Sequence, residues 1–432
     1  MIPAVAVVTN PNAFSEFKVL AEEAGYKIID TVRVRRLLHR GLSEVKLGEL
    51  RNKVMLTGAR EILFDVELKP RQVYNIAKEL KIVPKDRIEI ILEIFRRHSP
   101  SKEADLQIKL ASLQYELMRA KEKVRLAKMG EQPGFYGLGE YEVDVYYNEI
   151  KKRIDNIRRK LEEIREKREL HRLSRKRKGY KTIAITGYTC SGKSSLFNAL
   201  TGLSVKTGPE PFTTLSTKFF VLRIGPWRCY LIDTIGFIRD LPPFLIAAFY
   251  STLEEILFAD LLILVIDVSE PQHVIMEKLD ESLKIIGELG YKDKPVVIAL
   301  NKIDLVTREY VNQIIIDISS KLNDAKYPIV PISALHRINI DKLLMTIEEY
   351  LGAKKKYVVM LPYADGAKLS EVFSFMKRFS EVEDTEYLND RVLIKGTVAR
   401  EHVSSIKRFI HKMGGYVKIG EDLDIEALSS SS

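Results

Sequence analysis

Hydrophobic and polar positions along the 432-residue chain fall into four successive rhythms. Up to residue 97, short apolar runs alternate with amphipathic stretches. Strands are expected at 4–9, 28–34 and 61–65, and helices at 14–24, 69–80 and 87–97, which makes a small α/β domain. In residues 98–179, Leu106, Leu110, Leu113, Leu117, Ala120, Val124 and Ala127 recur at spacings of four and three. Ile150, Ile154, Ile157, Leu161 and Ile164 do the same, the rhythm of a helical seam. The glycine-rich stretch 130–139 separates the two stripes. The spacing therefore predicts an antiparallel hairpin of two long helices with a glycine-rich tip, against the competing arrangement of a parallel dimeric coiled coil.

Residues 180–352 carry near-continuous apolar runs at 182–186, 219–224, 229–232, 261–268, 295–300 and 329–332. Such runs are strands buried on both faces, hence a mostly parallel sheet between helices. Residues 353–428 read as strand 357–361, helix 367–379, strand 392–398, helix 402–413 and a short strand 417–419, a further small α/β domain. The expected fold is α/β throughout: an N-terminal domain (1–97), a basic hairpin (98–179), a P-loop domain (180–352) and a C-terminal domain (353–428).

The first apolar run of the third region leads into Gly187-Tyr188-Thr189-Cys190-Ser191-Gly192-Lys193-Ser194, and a helical stretch follows. This is G-x-x-x-x-G-K-[ST] in the strand–loop–helix setting it requires. The glycines let backbone N–H groups turn toward phosphates, Lys193 neutralises the β and γ oxygens, the Ser194 hydroxyl ligates Mg²⁺ and the helix dipole adds to the attraction. The base is chosen by Asn301-Lys302-Ile303-Asp304, behind the run 295–300. A carboxylate at Asp304 accepts from both N1–H and the exocyclic amine of guanine, whereas adenine leaves it unpaired, a difference worth orders of magnitude. Asn301 is expected to tie this loop to the P-loop, the Lys302 stem to cover the base, and the Ala334 N–H of Ser333-Ala334-Leu335 to meet guanine O6.

Two segments read the γ-phosphate. Asp233-Thr234-Ile235-Gly236 ends a strand, with Asp233 holding Mg²⁺ through water and the Gly236 N–H donating to phosphate, so that the loop orders in GTP and loosens after hydrolysis. Phe212-Thr213-Thr214-Leu215-Ser216 stands where the first switch falls. Thr214 is the expected Mg²⁺ hydroxyl, with Thr213 as the alternative. Position 237 is Phe, which cannot orient an attacking water as a glutamine does there, so slow intrinsic hydrolysis is expected and no catalytic side chain is assigned.

Composition narrows the setting. No run of about 18 uncharged apolar residues exists, so no membrane span is expected. The N-terminus lacks a basic leader pattern, and two cysteines, Cys190 and Cys229, form no disulfide framework, which points to a reducing cytoplasm. Seven histidines show no metal-ligand spacing. The net charge is +10, and residues 96–181 hold 24 Lys and Arg against 14 Asp and Glu, which accounts for all of it. The densest part contains Arg172, Arg175, Lys176, Arg177 and Lys178, a stripe suited either to a phosphate backbone or to a solvated helix face.

Taken together, these residues resemble the translation-factor-related P-loop GTPases. The run from Asp233-Thr234-Ile235-Gly236-Phe237 to Arg239-Asp240-Leu241-Pro242, the stretch 248–255 and Ala259-Asp260 are similar to the second-switch region of the HflX family, in the OBG-HflX-like group and of archaeal type. Asp86-Arg87, Ile94-Phe95, Leu106-Gln107, Leu113-Gln114-Tyr115 and Gly137-Leu138-Gly139-Glu140 resemble that family's N-terminal domain and hairpin tip. The resemblance implies a monomeric, cytoplasmic, ribosome-associated GTPase that binds GTP and GDP and the large ribosomal subunit, its hairpin reaching ribosomal RNA. In some members it extends to separating subunits under stress. Cys190 stands where the family commonly has the Asn that helps hold potassium, and Tyr141-Glu142-Val143-Asp144 departs from the usual tip. The competing function is an RNA-binding scaffold with a regulatory, weakly hydrolysing nucleotide site.

Overall fold

The first apolar run forms β1 (Ile2–Val8), in which Ala4, Val5, Ala6 and Val7 are wholly buried. β1 is the central strand of a parallel sheet, between β2 (Tyr26–Arg33) and β3 (Glu61–Phe64), and burial of both its side-chain faces fits a sheet with helices packed against it. The computed structural model describes residues 1–97, 102–128, 140–203, 218–234, 236–237, 255–292, 294–322, 327–362, 366–388 and 390–420. It divides into two units, one holding Met1–Lys167 and the other the described residues from Arg168 on.

In the first unit, helices α1 (Phe14–Glu23), α2 (Glu44–Thr57), α3 (Pro70–Leu80) and α4 (Arg87–Arg97) accompany the sheet. Helix α2 was not expected. Its Leu47, Leu50 and Val54 pack on the core, but Val45, Met55 and Leu56 are exposed, so no single apolar stripe marks it. It starts at Ser43, which accepts from the Lys46 N–H, and stops at Gly58 in the left-handed region. Helices α5 (Lys102–Lys128) and α6 (Glu140–Arg177) bring their stripes together: Leu110, Ile150 and Ile154 bury against one another, flanked by Leu113, Leu117, Ile157 and Leu161. The seam closes within one chain, as a hairpin, and the tip, 129–139, lies outside the described residues. Helix α5 is fastened to α4 through Asp86, whose buried carboxylate caps α4 at Glu89 N–H (3.0 Å) and accepts from Tyr115 Oη and from Arg119 (3.3 Å).

The second unit holds a six-stranded sheet in the order β5-β6-β4-β7-β8-β9. It comprises β4 (Tyr180–Gly187), β5 (Lys218–Ile224), β6 (Trp227–Asp233), β7 (Leu261–Asp267), β8 (Val296–Asn301) and β9 (Ile329–Pro331). All pairs are parallel except β5–β6. Helix α7 (Lys193–Thr201) follows β4, and helices Gln272–Glu288, Arg308–Leu322 and Ile340–Leu351 complete the layers. Asp260 accepts from the Thr182 N–H at 2.7 Å and so fixes the start of β7 beside β4.

The C-terminal part of this unit is a β-α-β-β-α-β arrangement. Strands β10 (Lys354–Pro362), β11 (Ser380–Tyr387), β12 (Arg391–Ala399) and β13 (Tyr416–Gly420) pair antiparallel in the order β11-β12-β10-β13. Helices Gly366–Phe379 and Val403–Lys412 cover the face bearing Tyr357, Val359, Leu361, Ile394 and Val417. Strand β11, sequence S-E-V-E-D-T-E-Y, was not expected. It is an acidic edge strand with a bulge between Val382 and Asp384, and offers too few apolar positions to announce itself.

Candidate nucleotide site

Strands β4, β6 and β8 end on the same side of the sheet, and their C-terminal loops meet there, the usual place for a ligand in an open α/β sheet. The P-loop turns through Gly187 (φ 138°), Cys190 (φ 63°) and Gly192 (φ 96°), and Gly192 caps α7. A Cβ at Gly187 would strike the Val265 carbonyl and one at Gly192 the Asn301 amide, so both glycines are required by close approach as well as by φ.

Lys193 is buried, with Nζ donating to the Tyr188 carbonyl at 2.6 Å. Desolvation pulls its ammonium from 10.5 down to about 8, partly opposed by Asp233. The Ser194 hydroxyl donates to Asp233 Oδ2 at 3.0 Å, and Asp233 is wholly buried. A carboxylate beside a hydroxyl is a hard-oxygen donor pair of the kind Mg²⁺ takes, so these residues fit the ion. Thr234 anchors the loop behind it through Oγ1 to the Ile185 carbonyl at 2.7 Å.

Phe237, just after the 233–236 motif, is tied to the P-loop. Phe237 N–H donates to the Gly187 carbonyl at 2.9 Å and Thr189 N–H to the Phe237 carbonyl at 2.8 Å, and the Phe237 ring is buried. A Cβ on Gly236 would lie 2.6 Å from Lys193 Nζ. Ile235, Phe212, Thr213, Thr214, Leu215 and Ser216 lie outside the described residues.

At the base end, Asn301 is buried and joins both loops. Its Nδ2 donates to the Ser191 carbonyl at 2.8 Å and its Oδ1 accepts from the Ala334 N–H at 2.9 Å. The Ala334 N–H, expected to meet guanine O6, is thus directed to Asn301. Lys302 sits in the left-handed region (φ 69°) and pairs with Asp267. Ile303 and Asp304 lie in a single helical turn, where Asp304 stands 3.7 Å from His336 Nε2. Ser333 is buried and Leu335 exposed.

Sequence reading missed the partners that hold these motifs. Tyr188 bonds Glu281 through its hydroxyl and lies under Lys278, and Asp267 and His336 flank the base loop. Cys190 is exposed, yet desolvation of its sulfur raises the thiol pKa despite Lys193, Lys302 and Lys278, which disfavours the thiolate.

The basic stripe is divided. Arg172 and Arg175 flank the buried Glu255 carboxylate at 3.5 and 3.4 Å, with Arg172 over the Phe258 ring and Arg175 over Tyr230. Both are therefore structural ties rather than presented cations. Arg177 and Lys178 are exposed, and the Lys176 side chain lies outside the description. Another cationic segment went unnoticed because acids elsewhere cancel it in the sum. Arg33, at the end of β2, and Arg35, Arg36, His39 and Arg40, on the loop that follows, are all exposed, and the loop is pinned by Gln72 Nε2 to the Leu38 carbonyl (2.7 Å) and Asn75 Nδ2 to the Arg40 carbonyl (3.0 Å).

Fold and loop geometry define a P-loop GTPase. Three family models match the chain: "GTP-binding GTPase N-terminal" over residues 12–96, "GTP-binding GTPase Middle Region" over 98–175 and "50S ribosome-binding GTPase" over 182–302. The chain is 44% identical over 348 residues to a GTPase HflX of Hyperthermus butylicus, spanning 79% of this chain and 92% of that protein. It is 36% identical over 417 residues to one of Thermococcus kodakarensis, spanning 94% and 91%. Among solved structures, the SsGBP–GDP complex is 33% identical and covers 81% of this chain and 98% of its own, with a TM-score of 0.50. The chain belongs to the HflX GTPase family and hydrolyses GTP to GDP and phosphate. Among the described residues, no helix is long and apolar enough to cross a membrane.

Proposed function

We propose that the chain is a cytoplasmic, monomeric, ribosome-associated GTPase that binds the large ribosomal subunit according to the nucleotide in its pocket. The observation that carries this reading is the convergence of three loops, with Asn301 bridging the base loop to the P-loop. Gly187 to Ser194 wrap the phosphates, Lys193 neutralises them, and Asp304 accepts from guanine N1–H and its amine while Lys302 lies along the base. Ser194, Asp233 through water, and Thr214 would hold Mg²⁺, which when bound neutralises charge on the β and γ phosphates.

Nucleotide entry exchanges the Lys193–Tyr188 bond for phosphate contacts and draws the Gly236 N–H toward the γ-phosphate. The two Phe237–P-loop hydrogen bonds then open, and the second switch is released to a new position. Because Phe237 is buried and carries no polar group, no side chain at that position orients water, and hydrolysis by the isolated protein is slow until the ribosome supplies the missing positioning. RNA contacts come from Arg177 and Lys178, from Arg33 at the end of β2 and from the pinned loop bearing Arg35, Arg36 and Arg40. A role in separating subunits follows if binding competes with the small subunit.

Sedimentation with purified ribosomal subunits, in GTP analogue, GDP and no nucleotide, tests the reading. Cosedimentation with the large subunit that is strongest in GTP analogue is expected. Equal pelleting in all three conditions would remove the switch, and no pelleting in any would remove the ribosome.

A further inference from the structure

Away from the nucleotide, the β5–β6 hairpin and helix Gly366–Phe379 enclose an open cleft of about 450 Å³. Four cations line it, Arg223, Arg228, Lys377 and Arg378, with Ser374 beside them and, among the described residues, no carboxylate in the wall. Two features set it apart from a scattering of surface charge.

First, Arg223 and Arg228 are direct cross-strand partners. Like charges placed opposite each other in an antiparallel pair repel, and a protein usually interposes an acid or separates them. Among the described residues, Glu381 is the acid that acts on Arg223, and its carboxylate accepts from the Thr397 hydroxyl at 3.1 Å. Desolvation, and then the neighbouring Arg228, lower the Arg223 pKa. Second, the guanidinium groups are held in place. Arg223 donates to the Ser380 carbonyl at 2.7 Å and to the Lys377 carbonyl, so it closes the last turn of the helix while its charge stays at the cleft. Arg228 lies over the Tyr180 ring at 5.2 Å. Lys377 and Arg378 then add two exposed cations from the helix side, Arg378 lying over the Phe379 ring at 5.2 Å.

Repelling arginines fixed side by side, with further cations facing them, are stabilised by an anion placed between them. Arginine guanidinium groups match phosphate oxygens, and because both Nη atoms of Arg223 are given to carbonyls, that residue contributes its charge rather than its fork. The cleft is open along its length and offers neither an aromatic platform nor an enclosed polar pocket for a small molecule, so an extended polyanion suits it better than a free nucleotide. We propose that this cleft is a phosphodiester-backbone site that seats a strand of RNA on the β5–β6 hairpin. It gives the chain an RNA contact separate from the helical hairpin and from the N-terminal loop. The position matters for switching: β5 follows the first-switch segment and β6 ends at Asp233, so RNA held here grips the hairpin that connects the two switches. The inference rests on the ribosome reading only for where the RNA comes from.

The test is fluorescence anisotropy of a labelled single-stranded RNA of about 20 nucleotides across a salt series, with full-length protein. The variant combines Arg228→Gln, Lys377→Gln and Arg378→Gln, and spares Arg223 because it closes the helix. A control with the same charge loss combines Lys284→Gln, Lys342→Gln and Lys407→Gln. About 0.7 in salt slope is expected per phosphate contact, so the cleft variant should lose about 2 in slope and about tenfold or more in affinity. GDP affinity should be unchanged and the control should behave as wild type. Equal losses in both variants, no loss in either, or no RNA binding by the wild type would overturn the proposal. So would a cleft variant that keeps RNA affinity but no longer pellets with ribosomes, which would point to an acidic protein partner. Wild-type pelleting with the large subunit, measured in parallel, shows separately whether the ribosome reading stands.

Discussion

The Asn301 side-chain amide donates to the Ser191 carbonyl oxygen at 2.8 Å, across 110 positions of sequence. The same side chain accepts from Ala334, so one buried residue holds the phosphate loop and the base loop in register. Asn301→Ala leaves a buried carbonyl and a buried N–H without that partner, at about 1–3 kcal/mol for each group. GDP affinity should fall by about tenfold or more, and the thermal midpoint should fall with it. Fluorescent-nucleotide titration and a melting curve check this, and unchanged affinity would mean that the loops hold their register without Asn301.

Asp304 stands in the turn that follows Asn301, and guanine presents two donors to its carboxylate. Asp304→Asn replaces an acceptor with a donor, so GTP affinity should fall about a hundredfold, while xanthosine triphosphate, which carries an oxygen in place of the amine, should gain. Parallel titrations with both nucleotides measure the exchange. Equal loss of both would place Asp304 outside base recognition.

Glu255 is shared by Arg172 and Arg175 in a mostly desolvated setting. Glu255→Ala strands two guanidinium groups and should cost about 3 kcal/mol in urea unfolding, whereas Glu255→Gln should cost less because it keeps an acceptor. A variant neutralising Arg172 and Arg175 would show the same loss of stability and mislead as a test of RNA binding. Neutralising Arg177 and Lys178 alone leaves the tie intact and reports on RNA.

His402 lies at the start of helix Val403–Lys412, edge-on to Phe379 and against the Gly179 backbone. Desolvation lowers its pKa below the ordinary 6.5. The unfolded chain then binds the proton more readily than the folded one, so stability is full above 6.5 and falls as the pH drops through the interval below it. His402→Gln removes this contribution. The difference in urea midpoint between pH 7.5 and 5 should be smaller in the variant than in wild type, and an equal difference would assign the acid sensitivity to other groups.

Much of the site could be read from contiguous motifs, because backbone-wrapped phosphates and a base-facing carboxylate demand particular residues at fixed spacing. What closes around them could not. Glu281, Asp267, His336 and Glu255 are brought in by tertiary packing and carry no local signal. Helix α2 escaped notice because its apolar residues point both inward and outward, and β11 because an edge strand needs little hydrophobic surface. Charge summed over the chain assigned the whole excess to residues 96–181 and so hid Arg33 to Arg40. It also overvalued Arg172 and Arg175, since a count cannot tell a presented cation from one already held by an acid.

Gly192 has no side chain, and the room this leaves is taken by the Asn301 amide. A single methyl group there would push the two halves of the pocket apart, so discrimination between purines and the grip on the triphosphate cannot be tuned independently. Any variant bred to accept a different base through a shifted 301–304 loop would also inherit a loosened hold on its phosphates.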